Sequence, residues 1–130
     1  MKRVLFVCVE NSNRSQMAEA FARIHGGDWL EPYSAGSHPS GVVNPLAIEA
    51  MREVRYDLSK HTSKALGDLP NERFDAAVTM GCGDQCPTSR AVRHEDWRIP
   101  DPKHMATDEF RAVRDLIESR VKDLLVSLKG

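Results

Sequence analysis

The stretch most able to do chemistry is Cys8-Val9-Glu10-Asn11-Ser12-Asn13-Arg14-Ser15, a cysteine and an arginine with five residues between them and a serine after. The apolar run Val4-Leu5-Phe6-Val7 leads into Cys8 and reads as a buried strand. A helical pattern starts directly afterwards, in Gln16-Met17-Ala18-Glu19-Ala20-Phe21-Ala22. The strand thus delivers Cys8 to a loop that empties into a helix N-terminus, where backbone N–H groups and the macrodipole favour an anion. Arg14 adds a planar, permanently charged fork suited to a tetrahedral oxyanion. Val9, Glu10, Asn11, Ser12, Asn13, Arg14 and Ser15 are therefore the expected oxyanion cup, with a sulfur at its base. Such surroundings draw a thiol toward thiolate, and the Ser15 hydroxyl can donate to it. Cys8 is expected to be a thiolate nucleophile at neutral pH. The plainer reading is a small buried cysteine at a strand end. The strand, the spacing to Arg14 and the helix start together weigh against it.

Two further groups carry chemistry. In Gly81-Cys82-Gly83-Asp84-Gln85-Cys86-Pro87, two cysteines four apart on a glycine-bearing loop can close a disulfide if the loop folds back. The glycines favour a mobile redox loop over purely structural cysteines. Zinc is disfavoured, because no second cysteine pair follows and the histidines lack ligand spacing. Asp101-Pro102 places a carboxylate after a strand candidate, where it can protonate a leaving oxygen. The bland alternative is an ordinary Asp-Pro turn. His25, His38, His61, His94 and His104 show no paired spacing and read as surface or capping residues, while Trp29 and Trp97 read as packing.

The elements that must position these groups follow from periodicity. A first helix is expected over Ser15–His25, with Met17, Ala20, Phe21 and Ile24 on one face and Gly26-Gly27 as its stop. A short strand falls within Trp29–Ser34, where Pro32 points to a sheet edge, and residues 34–41 read as loop. Asn44-Pro45 starts a second helix with Ala47, Ile48, Met51 and Val54 buried. Residues 57–70 leave room for one short helix. Phe74–Met80 reads as a third strand, and a weaker one covers Val92 to Trp97 or Ile99. Thr107 is the expected cap of a last helix with the stripe Phe110, Val113, Ile117, Val121, Leu124 and Leu128. Strands alternating with helices predict an α/β fold, a mostly parallel sheet with helices on both faces. Cys8, Cys82 and Asp101 each follow a strand candidate, so they converge on the rim where such sheets bind ligands.

The 130 residues suit one domain over 1–130 with a single core. A net charge of −1 offers no basic field, which argues against nucleic acid and anionic membranes. No apolar stretch approaches the roughly 20 residues that span a bilayer. Met1-Lys2-Arg3 runs directly into the first strand with no room for a signal peptide. A cytoplasmic protein is expected, and three cysteines there suggest reactive thiols rather than a disulfide scaffold.

Cys8–Ser15 followed by Gln16-Met17-Ala18-Glu19 resembles arsenate reductases built on the low-molecular-weight tyrosine phosphatase fold. So do Tyr33-Ser34-Ala35-Gly36, Asn44-Pro45 with Ala47–Met51, His61-Thr62-Ser63, Val78-Thr79-Met80, and Glu95-Asp96-Trp97 before Asp101-Pro102, in order along nearly the whole chain. The resemblance implies a four-stranded parallel sheet flanked by helices. It also implies that the Cys8 thiolate attacks arsenate held by Arg14 and the loop amides, while Asp101 protonates the departing oxygen and Ser15 stabilises the thiolate. A Cys8–Cys82 disulfide would release arsenite, and in three-cysteine relatives Cys86 would take over to leave Cys82–Cys86. Asn11 would brace the loop. The family implies no tightly bound cofactor and an external reductant, thioredoxin or glutaredoxin with a glutathione-type thiol. Phosphate or sulfate would compete with arsenate, and a monomer is expected. The Cys82–Cys86 gap is shorter than usual in the thioredoxin-coupled branch and similar to glutaredoxin-coupled relatives. Some relatives bind potassium through an acidic residue shortly after His-Thr-Ser. Lys64 stands at that position here, and its ammonium can replace the cation. Two alternatives share the cup: a tyrosine phosphatase using Cys8, Arg14 and Asp101 without Cys82 or Cys86, and a non-enzymatic oxyanion sensor.

Overall fold

The computed structural model describes residues 1–69, 73–81 and 91–129. Its centre is a four-stranded sheet in the order β2-β1-β3-β4, formed by β1 (Lys2–Cys8), β2 (Leu30–Gly36), β3 (Phe74–Thr79) and β4 (Ala91–Asp96). Every pairing is parallel. The α-helices are α1 (Arg14–Gly26), α2 (Pro45–Arg52) and α3 (Thr107–Lys129). The expected α/β architecture is the one that forms. β1 pairs with β2 from Lys2↔Leu30 to Cys8↔Gly36, and with β3 from Val4↔Ala76 to Val7↔Thr79. Parallel strands end on one side, so the loop after Cys8, the start of the segment after β3 and the Asp101 turn after β4 share a rim.

Alternation along β1 divides the core. Val4, Phe6 and Cys8 point to the side where Met17 and Phe21 of α1, Met51 of α2, and Ile117 and Val121 of α3 gather with Ala76 and Val78. Leu5 and Val7 point the other way and pack with Ala35, Ala77 and Leu69, against Leu66 of the 3₁₀ turn Leu66–Asp68. Among the described residues the three α-helices cover the first face, and on the second only Leu66 of that short turn packs against the core. Along α3, Phe110, Val113, Ile117, Val121 and Leu124 are all buried, each contributing about 1.5–3 kcal/mol by leaving water. α2 starts as its sequence dictates: the Asn44 side chain accepts the Leu46 N–H at 2.8 Å, and Pro45 occupies the first turn.

Several elements differ from expectation. Ser34–Gly36 belongs to β2 rather than a loop, because pairing with Phe6–Cys8 outweighs its small, turn-like composition. Pro32 does sit in an edge strand. Residues 57–69 contain two 3₁₀ turns, Leu58–Lys60 and Leu66–Asp68, in place of one short helix. Ile24 is exposed, since the core covers α1 only as far as Ala22 before its last residue. Thr107 is the first residue of α3 instead of its cap, and the Glu109 carboxylate accepts the Ala106 N–H. Among the described residues no helix is long and apolar enough to cross a membrane.

Candidate active site

The loop between β1 and α1 is shaped by what its carbonyls do. Val9 O accepts from His38 N–H at 2.8 Å, Glu10 O from Ser40 N–H at 3.1 Å and Ser63 Oγ at 3.0 Å, and Ser12 O from Asn44 N–H at 3.1 Å. Asn11 O accepts from Gln16 Nε2 at 3.0 Å and Asn13 O from Met17 N–H at 3.0 Å. Five successive carbonyls are thus drawn to outer partners. A planar trans peptide carries its N–H opposite its C=O, so the amides of residues 10–14 turn away from those partners. This wrap requires two special backbone positions. Asn11 has φ +49°, and a Cβ on Gly36 would lie 2.5 Å from Val9 O. Only glycine at the end of β2 lets the loop lie so close.

Cys8 is almost fully buried, with its Sγ 2.8 Å from Ser15 Oγ. Asn11 Nδ2 donates to the same Ser15 oxygen at 2.8 Å, so the hydroxyl can donate to Cys8 whenever the sulfur is a thiolate. Arg14 begins α1, and its Nη1 donates to Ile99 O at 3.1 Å while Nη2 lies 3.9 Å from Asp101 Oδ2. Gly81 has φ +77°, and a Cβ there would meet Arg14 Nη1 at 2.7 Å, so the missing side chain makes room for the guanidinium. Asp101 is half-exposed, and its Oδ1 accepts the Lys103 N–H at 3.1 Å. Cys8, Val9, Glu10, Ser12, Asn13, Arg14, Gly81 and Asp101 line a cavity of about 340 Å³. Sulfur, cation and carboxylate converge there.

Behind the loop lies a second network. Gln16 Nε2 is shared among Asn11 O, Asn11 Oδ1 at 2.9 Å and Thr62 O at 2.9 Å. Its Oε1 accepts from His61 Nδ1 at 2.9 Å, which fixes the tautomer, and His61 Nε2 then accepts from Tyr56 OH at 2.7 Å. Asn11 Oδ1 also accepts the Lys64 N–H at 3.0 Å. Glu19 is buried and holds Ser34 Oγ at 2.6 Å and Arg23 Nε at 3.0 Å, with Lys64 Nζ at 3.8 Å. Burial pushes the His61 and Lys64 pKa values below their ordinary ranges, and the Glu19 charge opposes the shift in both.

Of the residues singled out from sequence, Cys8, Arg14, Ser15, Asp101 and the loop 9–13 come together. Cys82 and Cys86 lie outside the described residues. His61 departs from its surface reading: its side chain is buried in the second network. Gln16, Gly36 and the pair Glu10–Lys103 were not singled out by chemistry. Their roles depend on partners distant in sequence, although Gln16, Gly36 and His61 fall within the stretches that carry the family resemblance. Among the described residues no cluster of three or more His, Cys, Asp or Glu is arranged to hold a metal.

A strand-to-helix anion loop with a buried cysteine, at the rim of this four-stranded sheet, defines a phosphatase-like class. The chain belongs to the low molecular weight phosphotyrosine protein phosphatase family, which matches residues 3–130. Within that family it is similar to proteins named for another reaction. It is 37% identical over 131 residues to the glutaredoxin arsenate reductase of Synechocystis, covering 98% of this chain and 99% of that one. It is 42% identical over 131 residues to arsenate reductase 1 of Staphylococcus haemolyticus, covering 98% and 97%. A solved structure described as an arsenate reductase in the phosphate binding state superposes with a TM-score of 0.89 at 37% identity, covering 98% of each chain.

Proposed function

We propose that this protein reduces arsenate to arsenite through a cysteine relay that starts at Cys8. The observation that carries the reading is the buried Cys8 sulfur 2.8 Å from Ser15 Oγ, in a cavity also lined by Arg14 and Asp101. The amides of residues 10–14 and the Arg14 guanidinium hold the arsenate oxygens. The Ser15 hydroxyl stabilises the thiolate before attack. The Cys8 thiolate forms an As–S bond, and one oxygen leaves as water with a proton from Asp101. Cys82 then attacks Cys8 Sγ as a thiolate. The S–S bond forms, the As–S pair goes to arsenic, and As(V) leaves as As(III). Two thiols becoming one disulfide supply the two electrons. Cys86 next attacks Cys82, frees Cys8 and leaves Cys82–Cys86 for an external thiol, thioredoxin or glutaredoxin with a glutathione-type thiol. Phosphate and sulfate fit the same cup as competitors, and no tightly bound cofactor takes part.

The test is arsenite production from arsenate with thioredoxin or with glutaredoxin plus glutathione, in wild type, Cys82→Ser and Cys86→Ser. Loss of turnover in Cys82→Ser is expected. Thioredoxin-driven turnover that disappears in Cys86→Ser establishes the three-thiol relay, whereas glutaredoxin-driven turnover that survives makes Cys86 dispensable. No arsenite with either donor overturns the reading. A phosphatase acting on phosphotyrosine is the second reading, because Cys8, Arg14 and Asp101 suffice for it and the family match bears that name. Phosphatase activity that is unaffected by Cys82→Ser, in a protein that makes no arsenite, would support it.

A further inference from the structure

Glu10 is one of the residues lining a cavity shaped for an oxyanion, and its negative charge, left unscreened so near, opposes binding. Lys103 answers it, with Nζ 3.0 Å from Glu10 Oε2. Lys103 stands two residues beyond Asp101, and its backbone N–H donates to Asp101 Oδ1 at 3.1 Å. The other Asp101 oxygen faces Arg14 Nη2 at 3.9 Å. The turn is closed further along by Met105 N–H on Pro102 O at 3.0 Å. One residue therefore grips the acid with its backbone and the anion loop with its ammonium. Glu10 O is itself fixed by Ser40 and Ser63, so the loop end of this link is anchored.

We propose that the Glu10–Lys103 ion pair is a clamp across the mouth of the cup. It neutralises Glu10 toward the incoming oxyanion and holds the Asp101 turn in register with Arg14. Glu10 and Lys103 are positioning residues in this account, which rests on the reductase reading. Both side chains are partly exposed, so the clamp is worth a modest factor, about two- to fivefold, and salt weakens it.

The experiment uses the full chain with Lys103→Ala, Glu10→Gln and the exchanged pair Glu10→Lys/Lys103→Glu, folding being checked by circular dichroism. Lys103→Ala keeps the backbone N–H on Asp101, so it removes the ammonium alone. Two readouts are taken: kcat for arsenite formation, and inorganic phosphate affinity by calorimetry. Both single variants are expected to lose about two- to fivefold in kcat, with the exchanged pair recovering most of it. Phosphate affinity is expected to separate them. Lys103→Ala weakens binding by leaving Glu10 uncompensated, whereas Glu10→Gln does not weaken it. Unchanged kcat in both singles, or an exchanged pair no better than either, overturns the clamp. Equal weakening of phosphate binding in both singles overturns the charge account. If the wild type makes no arsenite with any donor, the reductase reading fails, and the opposite phosphate responses still decide the role of the pair.

Discussion

The two sides of the anion loop are built on opposite principles. On the back, nearly every polar group is saturated: loop carbonyls are bonded to residues 38–44, and Asn11, Gln16, His61 and Tyr56 form one chain of hydrogen bonds. On the front, the Cys8 sulfur, the second guanidinium nitrogen of Arg14 and the half-exposed Asp101 carboxylate face a cavity. The back decides where the loop is, and the front decides what it does. Changes on the front should alter chemistry with little cost in stability, and changes on the back should cost stability and reach the site only through the loop's position.

The largest effect is expected from Cys8→Ser, which removes the nucleophile: arsenite formation should drop by at least about a thousandfold. Phosphate affinity and melting temperature should stay close to wild type. A Cys8→Ser protein that unfolds easily would erase the distinction between the two sides. Asn11→Ala attacks the back. It leaves the Lys64 N–H without its acceptor, takes one partner each from Gln16 Nε2 and Ser15 Oγ, and places alanine at φ +49°. Denaturant titration should show about 1–3 kcal/mol lost, with phosphate binding weakened because the loop loses its brace.

A smaller effect comes from His61. Burial holds its folded pKa below the ordinary histidine value, so the unfolded chain takes up a proton more readily than the folded one. Stability should therefore fall as pH drops through the ordinary histidine pKa of about 6.5. In His61→Ala that part of the slope between pH 7 and 5 should vanish, even though the variant is less stable throughout. The smallest expected effect is none at all: exchanging sodium for potassium should leave turnover unchanged, because the Lys64 ammonium already stands 3.8 Å from Glu19. A clear potassium-dependent rise would show that the lysine does not fill that role.

Much of this was legible in the sequence, for local reasons. The run into Cys8, the spacing to Arg14, Asn44-Pro45 and the α3 stripe each carry their signal within a few residues, and each stands where expected. Pro32 announced the sheet edge by lacking a donor. What stayed hidden depends on partners far along the chain. Ser34–Gly36 becomes strand only through β1. Gly36 is required only because Val9 O arrives above it. His61 is drawn inward by Gln16, 45 positions away, and nothing in its local spacing marks it. Ile24 obeys its helical period and is still exposed, since periodicity does not say how far a neighbouring core extends.

The bond from Arg14 Nη1 to Ile99 O has a kinetic consequence. A free arginine side chain carries about 2 kcal/mol of rotamer entropy, which an anion would otherwise have to restrain on arrival. Here the polypeptide itself restrains it, through a carbonyl beyond β4 and the gap left by Gly81. Capture of the oxyanion then resembles docking onto a finished surface more than closing a hand. Association should run near the limit set by diffusion and charge, and differences in affinity among tetrahedral anions should reside in how fast they leave.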